Sequence, residues 1–267
     1  MIRIDKEKCT ACGLCAADCP KDCLAIKDGK PVYTEEGCLL CAHCFAVCPQ
    51  NAIDVEGLDD SNVVLLKKDP GIDPEDLMYL MKTRRSVRAF TDEEISLDDL
   101  NTLLAAGNAA PSGSNLQTVR YIVFRDEKES LQRETLRVLQ ALADDPDSYM
   151  TPEQRKKYSS LFENMLKEFE ENHRDLLFHG APEVLLIISR DITDGSLAAA
   201  NIELMAHAMG LGACYIGFAV LAARTESQKQ FLELQKGEKL VACLAIGHPN
   251  VTYQRSAPKK KIRLIVK

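Results

Sequence analysis

Residues 9–20 read CTACGLCAADCP and residues 38–49 read CLLCAHCFAVCP. Both follow C-x2-C-x2-C-x3-C-P, giving Cys9, Cys12, Cys15, Cys19 and Pro20, then Cys38, Cys41, Cys44, Cys48 and Pro49. The 29-residue offset also carries Cys23 onto Ala52 and Ile26 onto Val55, so the repeat extends beyond the ligating positions. Three thiols stepped by three along a tight loop can converge on one cubic iron–sulfur cluster. The fourth lies beyond a short helix and reaches the cluster of the other run, which ties the two halves together. The proline fixes the turn and stops that helix.

On these motifs residues 3–56 resemble a bacterial ferredoxin with two [4Fe–4S] clusters. The resemblance implies that Cys9, Cys12, Cys15 and Cys48 hold one cluster, and that Cys38, Cys41, Cys44 and Cys19 hold the other. A zinc ribbon is the competing assignment, but zinc sites pair two cysteines with two further ligands after a spacer, and two complete four-cysteine runs fit that poorly. Cys23 falls where the partner half has Ala52, which favours a small buried residue over a ninth ligand. His43, inside the second run, reads as a partly exposed loop residue.

Composition sets the frame. The chain has 267 residues, 46% hydrophobic and 27% charged, enough for one sizeable core and a small extra module. Nine of its 11 cysteines fall between Cys9 and Cys48, a crowding that suits metal binding in a reducing compartment better than a disulfide framework. No apolar run is long enough for a membrane span. MIRIDKEKC lacks the apolar stretch of a secretory signal, so a cytoplasmic location is expected. The net charge of -7 argues against nonspecific nucleic-acid binding.

Polar, turn-rich sequence follows the cysteines, and predicts a first domain over 1–58, a linker over 59–72 and a second domain over 73–267. Helices are expected from Pro74, after Ser96 as N-cap, and over 197–212. Strands are expected at 119–124, 184–188, 240–247 and 262–266. The polar stretch 127–178 reads as surface helices or a lid rather than core. The class is α+β, a central sheet covered by helices.

Four short motifs follow one another in this second domain: KTRRSVRAF (82–90), AAPSGSNLQ (109–117), GLGACYIGF (210–218), and GHP (247–249) with the basic tail APKKKIR (257–263). Arg84, Arg85 and Ser86 offer forked charged donors and a hydroxyl suited to phosphate and ribityl oxygens. Lys259 and Lys261 alternate along an extended segment and add charge for the same group. In this order the motifs resemble the FMN-dependent nitroreductase family over roughly residues 75–267. The resemblance implies an α+β sandwich with a mainly antiparallel sheet. It places Arg88 at the pyrimidine edge of the flavin, and the Ile216–Gly217 backbone at flavin N5. It also implies a homodimer sharing the flavin site, with Pro111, Ser112 and Asn115 reaching across from the neighbouring subunit and Gln117 supporting their loop. One departure stands out: Thr118-Val119 replaces the Pro-Trp common after Asn-x-Gln, so stacking near the dimer contact differs. Arg174 and His179, just before the second strand, read as helix-surface residues in preference to flavin-facing ones.

Together these features predict an oxidoreductase that passes electrons between a low-potential donor, two [4Fe–4S] clusters and FMN, and reduces a small electron-poor acceptor of nitroaromatic, quinone or enone type. A ferredoxin-type or other redox protein is the donor the clusters suggest, and the architecture also permits the reverse flow, from a substrate to a carrier. No G-x-G-x-x-G follows a strand, and relatives of the resembling family use NAD(P)H without one, so nicotinamide use is permitted but not indicated. Two other classes compete: an electron relay serving a protein partner, for which the 11 acidic against 6 basic residues of positions 1–60 would be a docking face, and a redox sensor, for which no DNA-binding helix is evident.

Overall fold

The computed structural model describes residues 1–61, 63–69 and 71–267; of the expected linker, Asn62 and Pro70 lie outside the described residues. Two compact units emerge, one of residues 1–71 with 112–116, the other of residues 72–111 with 117–267.

The first unit obeys the sequence repeat element by element. It comprises β1 (Ile2–Ile4), α1 (Leu14–Ala17), β2 (Leu24–Lys27), β3 (Lys30–Tyr33), α2 (His43–Val47) and β4 (Ile53–Val55). β1 pairs antiparallel with β4, setting Ile2 opposite Val55, and β2 pairs with β3, setting Leu24 opposite Tyr33. Both short helices start from a left-handed residue, Gly13 at φ 82° and Ala42 at φ 59°, which turns the cysteine loop sharply into the helix. A small core of Ile2, Leu24, Cys44, Ile53 and Val55 lies between the ribbons. His43 opens α2, where an exposed loop position was expected, and its Nδ1 lies 3.1 Å from Asp18.

In the second unit, α3 (Pro74–Thr83) starts at Asp73, whose side chain accepts from the Glu75 N–H, and α4 (Leu97–Asn108) starts at Ser96, which accepts from the Asp99 N–H. There follow β5 (Arg120–Phe124), α5 (Lys128–Asp144), α6 (Pro152–Asn172), β6 (Glu183–Ser189), α7 (Ile192–Ala208), β7 (Gly212–Tyr215), α8 (Gly217–Ala222), α9 (Glu226–Phe231) and β8 (Lys239–Gly247). The sheet runs β5-β6-β8-β7 and every pair is antiparallel, the α+β arrangement expected. β6 is buried along its whole length. Its Val184, Leu186 and Ile188 pack into a cluster with α5, α6 and α8, while Leu185 and Ile187 face α4 and α7 on the other side.

Three expectations are corrected. The stretch 127–178 is not a surface lid: α5 and α6 send Leu131, Leu136, Leu139, Phe162, Met165 and Phe169 into the main core, an apolar stripe that the many charges of their outer faces obscure. The sheet's edge strand β7 lies within GLGACY, where a helix end and a turn were expected; its four small or polar-looking residues pair because β8 supplies a partner. Residues 262–266 pair with no strand among the described residues, and Ile262, Leu264, Ile265 and Val266 stand exposed. β-branched composition makes a strand only where a partner edge is available.

Candidate cofactor sites

The cysteines of the first unit enclose two spaces. One is lined by Cys9, Cys12, Cys15 and Cys48 together with Ile4. The other is lined by Cys38, Cys41, Cys44 and Cys19 together with Tyr33. Each cage thus takes three thiols from one run and its fourth from the other. Among the described residues no three His, Cys, Asp or Glu side chains converge tightly enough to grip one ion. Four thiols spread around a space without converging on one point suit a polynuclear group, whereas a tetrahedral zinc draws its sulfurs to about 2.3 Å from one centre. Backbone amides already point at the sulfurs: Ala11 N–H donates to Cys9 Sγ at 3.4 Å, Ala52 N–H to Cys48 Sγ at 3.3 Å and Cys23 N–H to Cys19 Sγ at 3.3 Å. Such donors favour the negative sulfurs of a bound cluster. Burial pushes the free Cys44 thiol up to about 11, so cluster binding displaces its proton. Cys23 is buried and lines the second cage, but its own S–H donates away, to Lys21 O at 3.5 Å and Glu36 O at 3.7 Å, which suits the packing role.

In the second unit the sheet edge gathers two of the sequence motifs. Ser86 bridges Ala213 of β7 in parallel, and Val87 N–H donates to Ala213 O at 3.0 Å. Gly212 permits this approach, because a Cβ there would stand 2.8 Å from the Val87 side chain. The RRSVR segment is thereby laid beside the strand that ends at Ile216–Gly217. Two cavities open along the junction. The first, about 510 Å³, is lined by Arg84 and Arg85 with Thr83, Glu203, His207 and Tyr253. The second, about 550 Å³, holds Arg88, Cys214, Ile216 and Gly217. Nothing lies within 4 Å of a Cβ built on Gly217, so open space faces that backbone.

Charges along the first cavity are unequal. Arg84 Nη1 donates to Glu203 at 2.6 Å, whereas Arg85 has no ion pair among the described residues and lies over the ring of Tyr253 at 5.4 Å. Tyr253 in turn donates to Ser86 O at 3.2 Å, anchoring the segment from the C-terminal side. His207 meets Thr83 Oγ1 at 3.0 Å, and burial followed by the charge of Arg84 holds its pKa below the usual 6.5. Ser86 lines neither cavity; Arg84 and Arg85 in the first, and Arg88 with the open Gly217 backbone in the second, are donors of the kind that suit a phosphorylated flavin.

The remaining expected contacts fall elsewhere. Lys259 and Lys261 are exposed and line neither cavity, because the extended tail beyond Tyr253 does not fold back on the sheet. Pro111 and Gln117 line neither cavity and belong to the second unit, while Ser112 and Asn115 group with the first, where Asn115 Nδ2 donates to Leu40 O at 2.8 Å. Ser114, Asn115 and Gln117 all take positive φ, between 48° and 54°, a costly backbone for non-glycine residues.

Sequence reasoning missed part of the second cavity. His179 is not a helix-surface residue; it sits in a left-handed turn at φ 60° and lines the cavity with Arg88. Burial first, then the charge of Arg88, hold its pKa below the usual 6.5. Arg174 does lie at the surface, paired with Glu168 at 2.8 Å. α6 contributes Tyr158, Leu161 and Met165 to the same cavity. Tyr158 and Phe162 each meet Phe218 edge-on, at 5.4 and 5.0 Å, which braces α6 against α8. The spacing of apolar residues in α6 was the available signal.

Comparison with known proteins agrees with both halves. Residues 1–49 match the 4Fe-4S dicluster domain and residues 81–248 match the Nitroreductase family. An FMN reductase (NADPH) of Bacillus subtilis (strain 168) is 27% identical over 168 residues, 62% of this chain; the chain spans only 62% of that relative's length. A nitroreductase with bound FMN from Desulfitobacterium hafniense DCB-2 is 25% identical with a TM-score of 0.54, covering 72% of this chain and 98% of that one. A second, from Bacteroides fragilis NCTC 9343, is 22% identical with a TM-score of 0.55 over 72% and 99%, and shares the fold. With the larger match covering well over half its length, the chain belongs to the nitroreductase family, and it carries a 4Fe–4S dicluster domain at its N-terminal side.

Proposed function

We propose that this protein is an FMN- and iron–sulfur-dependent oxidoreductase that exchanges electrons with a low-potential donor such as a ferredoxin-type protein and reduces a small, flat, electron-poor organic acceptor. When bound, each [4Fe–4S] cluster carries single electrons, and FMN takes up electrons singly and yields them in pairs. The observation that carries the proposal is the sheet edge at which Ser86 bridges Ala213 of β7 and Arg88 lines one cavity with Ile216 and Gly217, in a chain that also builds two four-cysteine cages.

On this account Cys9, Cys12, Cys15 and Cys48 ligate one cluster and Cys38, Cys41, Cys44 and Cys19 the other. Arg84, Arg85 and Ser86 bind the flavin phosphate and ribityl chain, Arg88 favours negative charge at the pyrimidine edge, and the Gly217 backbone admits the ring. Tyr158, Leu161 and Met165 of α6 give the neighbouring cavity an apolar wall, against which an apolar aromatic acceptor can stack. His179 offers a ring N–H there. A homodimer sharing the flavin site is supported by the exposed Leu77, Met78, Tyr79 and Met81 of α3 and by the apolar run ending at Val266. A cytoplasmic setting fits the nine thiols crowded between Cys9 and Cys48.

The test is turnover by the purified, cofactor-loaded chain with a chemically reduced low-potential carrier. Reduction of a nitroaromatic, quinone or enone without any added protein acceptor is expected. Electron uptake with no reduction of any small acceptor, restored by a protein partner, would replace the enzyme with a relay.

A further inference from the structure

The 29-residue repeat that maps Cys9 onto Cys38 also maps Ile4 onto Tyr33. Each of these residues lines its own cage, Ile4 that of Cys9 and Tyr33 that of Cys38. The two cages match in their four ligand-candidate sulfurs; besides Cys23 against Ala52, they differ at the wall where one presents a hydrocarbon and the other a phenol.

Three observations say what the phenol is for. Tyr33 Oη is buried and makes no hydrogen bond among the described residues, an unusual state for a hydroxyl, which ordinarily finds a partner. It stands in the wall of the space that Cys19, Cys38, Cys41 and Cys44 also line, where the sulfurs of a bound cluster would lie. Lastly, Cys38 lacks the backbone donor that its counterpart has. Ala11 N–H donates to Cys9 Sγ, but among the described residues the corresponding Leu40 N–H makes no bond to Cys38.

We propose that Tyr33 donates a hydrogen bond to a sulfur of the cluster held in the Cys38 cage, and thereby raises the reduction potential of that one cluster. The inference rests on the cysteines being cluster ligands. A protonated thiol is a poor acceptor and leaves the phenol idle; a cluster-bound thiolate is a strong one, and the bond becomes charge-assisted. Reduction adds negative charge that spreads onto the sulfurs, so a donor to sulfur stabilises the reduced form more than the oxidised form. Tyr33 thus biases an arriving electron toward the cage of Cys38. Ile4 gives the other cage no such help.

The experiment is a reductive titration of the full-length, anaerobically loaded protein, followed by electron paramagnetic resonance, on the wild type and on Tyr33→Phe. Phenylalanine keeps the ring and removes only the proton. With iron and sulfide contents unchanged, one midpoint potential is expected to fall and the other to stay. Two unmoved potentials in fully loaded Tyr33→Phe would overturn the proposal. Should that variant shed iron, 3-fluorotyrosine placed at position 33 decides instead: as a stronger donor it should raise one midpoint, and an unmoved pair again overturns the assignment. A wild type that holds no cluster contradicts the underlying ligand assignment and the proposal with it, a result distinct from loaded protein with unmoved potentials.

Discussion

Arg84 sends Nη1 to Glu203 at 2.6 Å, while Arg85, one residue on, rests over Tyr253 with its charge unanswered by any carboxylate among the described residues. The two should respond differently to removal. Glu203 is 12% exposed, and burial raises its pKa against the pull of Arg84. Arg84→Ala leaves that carboxylate without its partner and is expected to cost about 3 kcal/mol in urea unfolding of the flavin-free protein. Arg85→Ala breaks no internal pair and should stay within about 0.5 kcal/mol. Its effect belongs in a flavin-fluorescence titration, where losing a charge-assisted phosphate contact worth about 1.5–3 kcal/mol weakens FMN binding roughly 10-fold or more. Equal stability losses for both variants would contradict this division of labour. Cys19→Ser tests the crossed ligands: the cluster expected to fail is the one held by Cys38, Cys41 and Cys44, with about half the iron lost. Preferential loss from the Cys9 cage would refute the crossing.

At the scale of elements, the parallel bridge between Ser86 and Ala213 decides where the flavin motifs meet. Gly212→Ala would push a Cβ to 2.8 Å from Val87, whose β-branched side chain cannot swing away. A loss of roughly 1–3 kcal/mol is expected, together with weakened FMN retention. Retention as in the wild type would show that the bridge does not position the site. Much of this was legible in the sequence, and the cysteine cages most of all, because a ligand set must keep its spacing whatever surrounds it. β5, β6 and β8 announce themselves as runs of Val, Ile and Leu. β7 does not, since Gly212, Ala213 and Cys214 have little strand preference and pair only because β8 is there. The core role of α5 and α6 hides behind charges that outnumber the buried stripe. His179 was illegible for another reason: a left-handed turn, invisible to periodicity, brings it into the cavity.

Across the whole molecule, pH links these local environments to stability. His179 and His207 both have pKa values lowered from 6.5, burial being the larger cause and Arg88 and Arg84 the smaller. Between 6.5 and their lowered folded values, the unfolded chain binds more protons than the folded one, so stability falls as pH drops through that window. Glu183 and Glu203, raised by burial, act in the opposite sense just above the usual carboxylate range. Thermal melting temperatures should therefore decline from pH 7 toward pH 6, and a His179→Gln, His207→Gln double variant should flatten that decline. An unchanged slope in the double variant would mean the acid sensitivity arises elsewhere.

The proposed oxidoreductase role is tested most directly by anaerobic purification with iron, sulfide and FMN quantified, followed at once by stepwise reduction watched by absorbance. About eight irons and one FMN per chain are expected, with electrons distributing between the two kinds of centre as reductant is added. Iron without flavin, or clusters and flavin that reduce independently and never equilibrate, would contradict it.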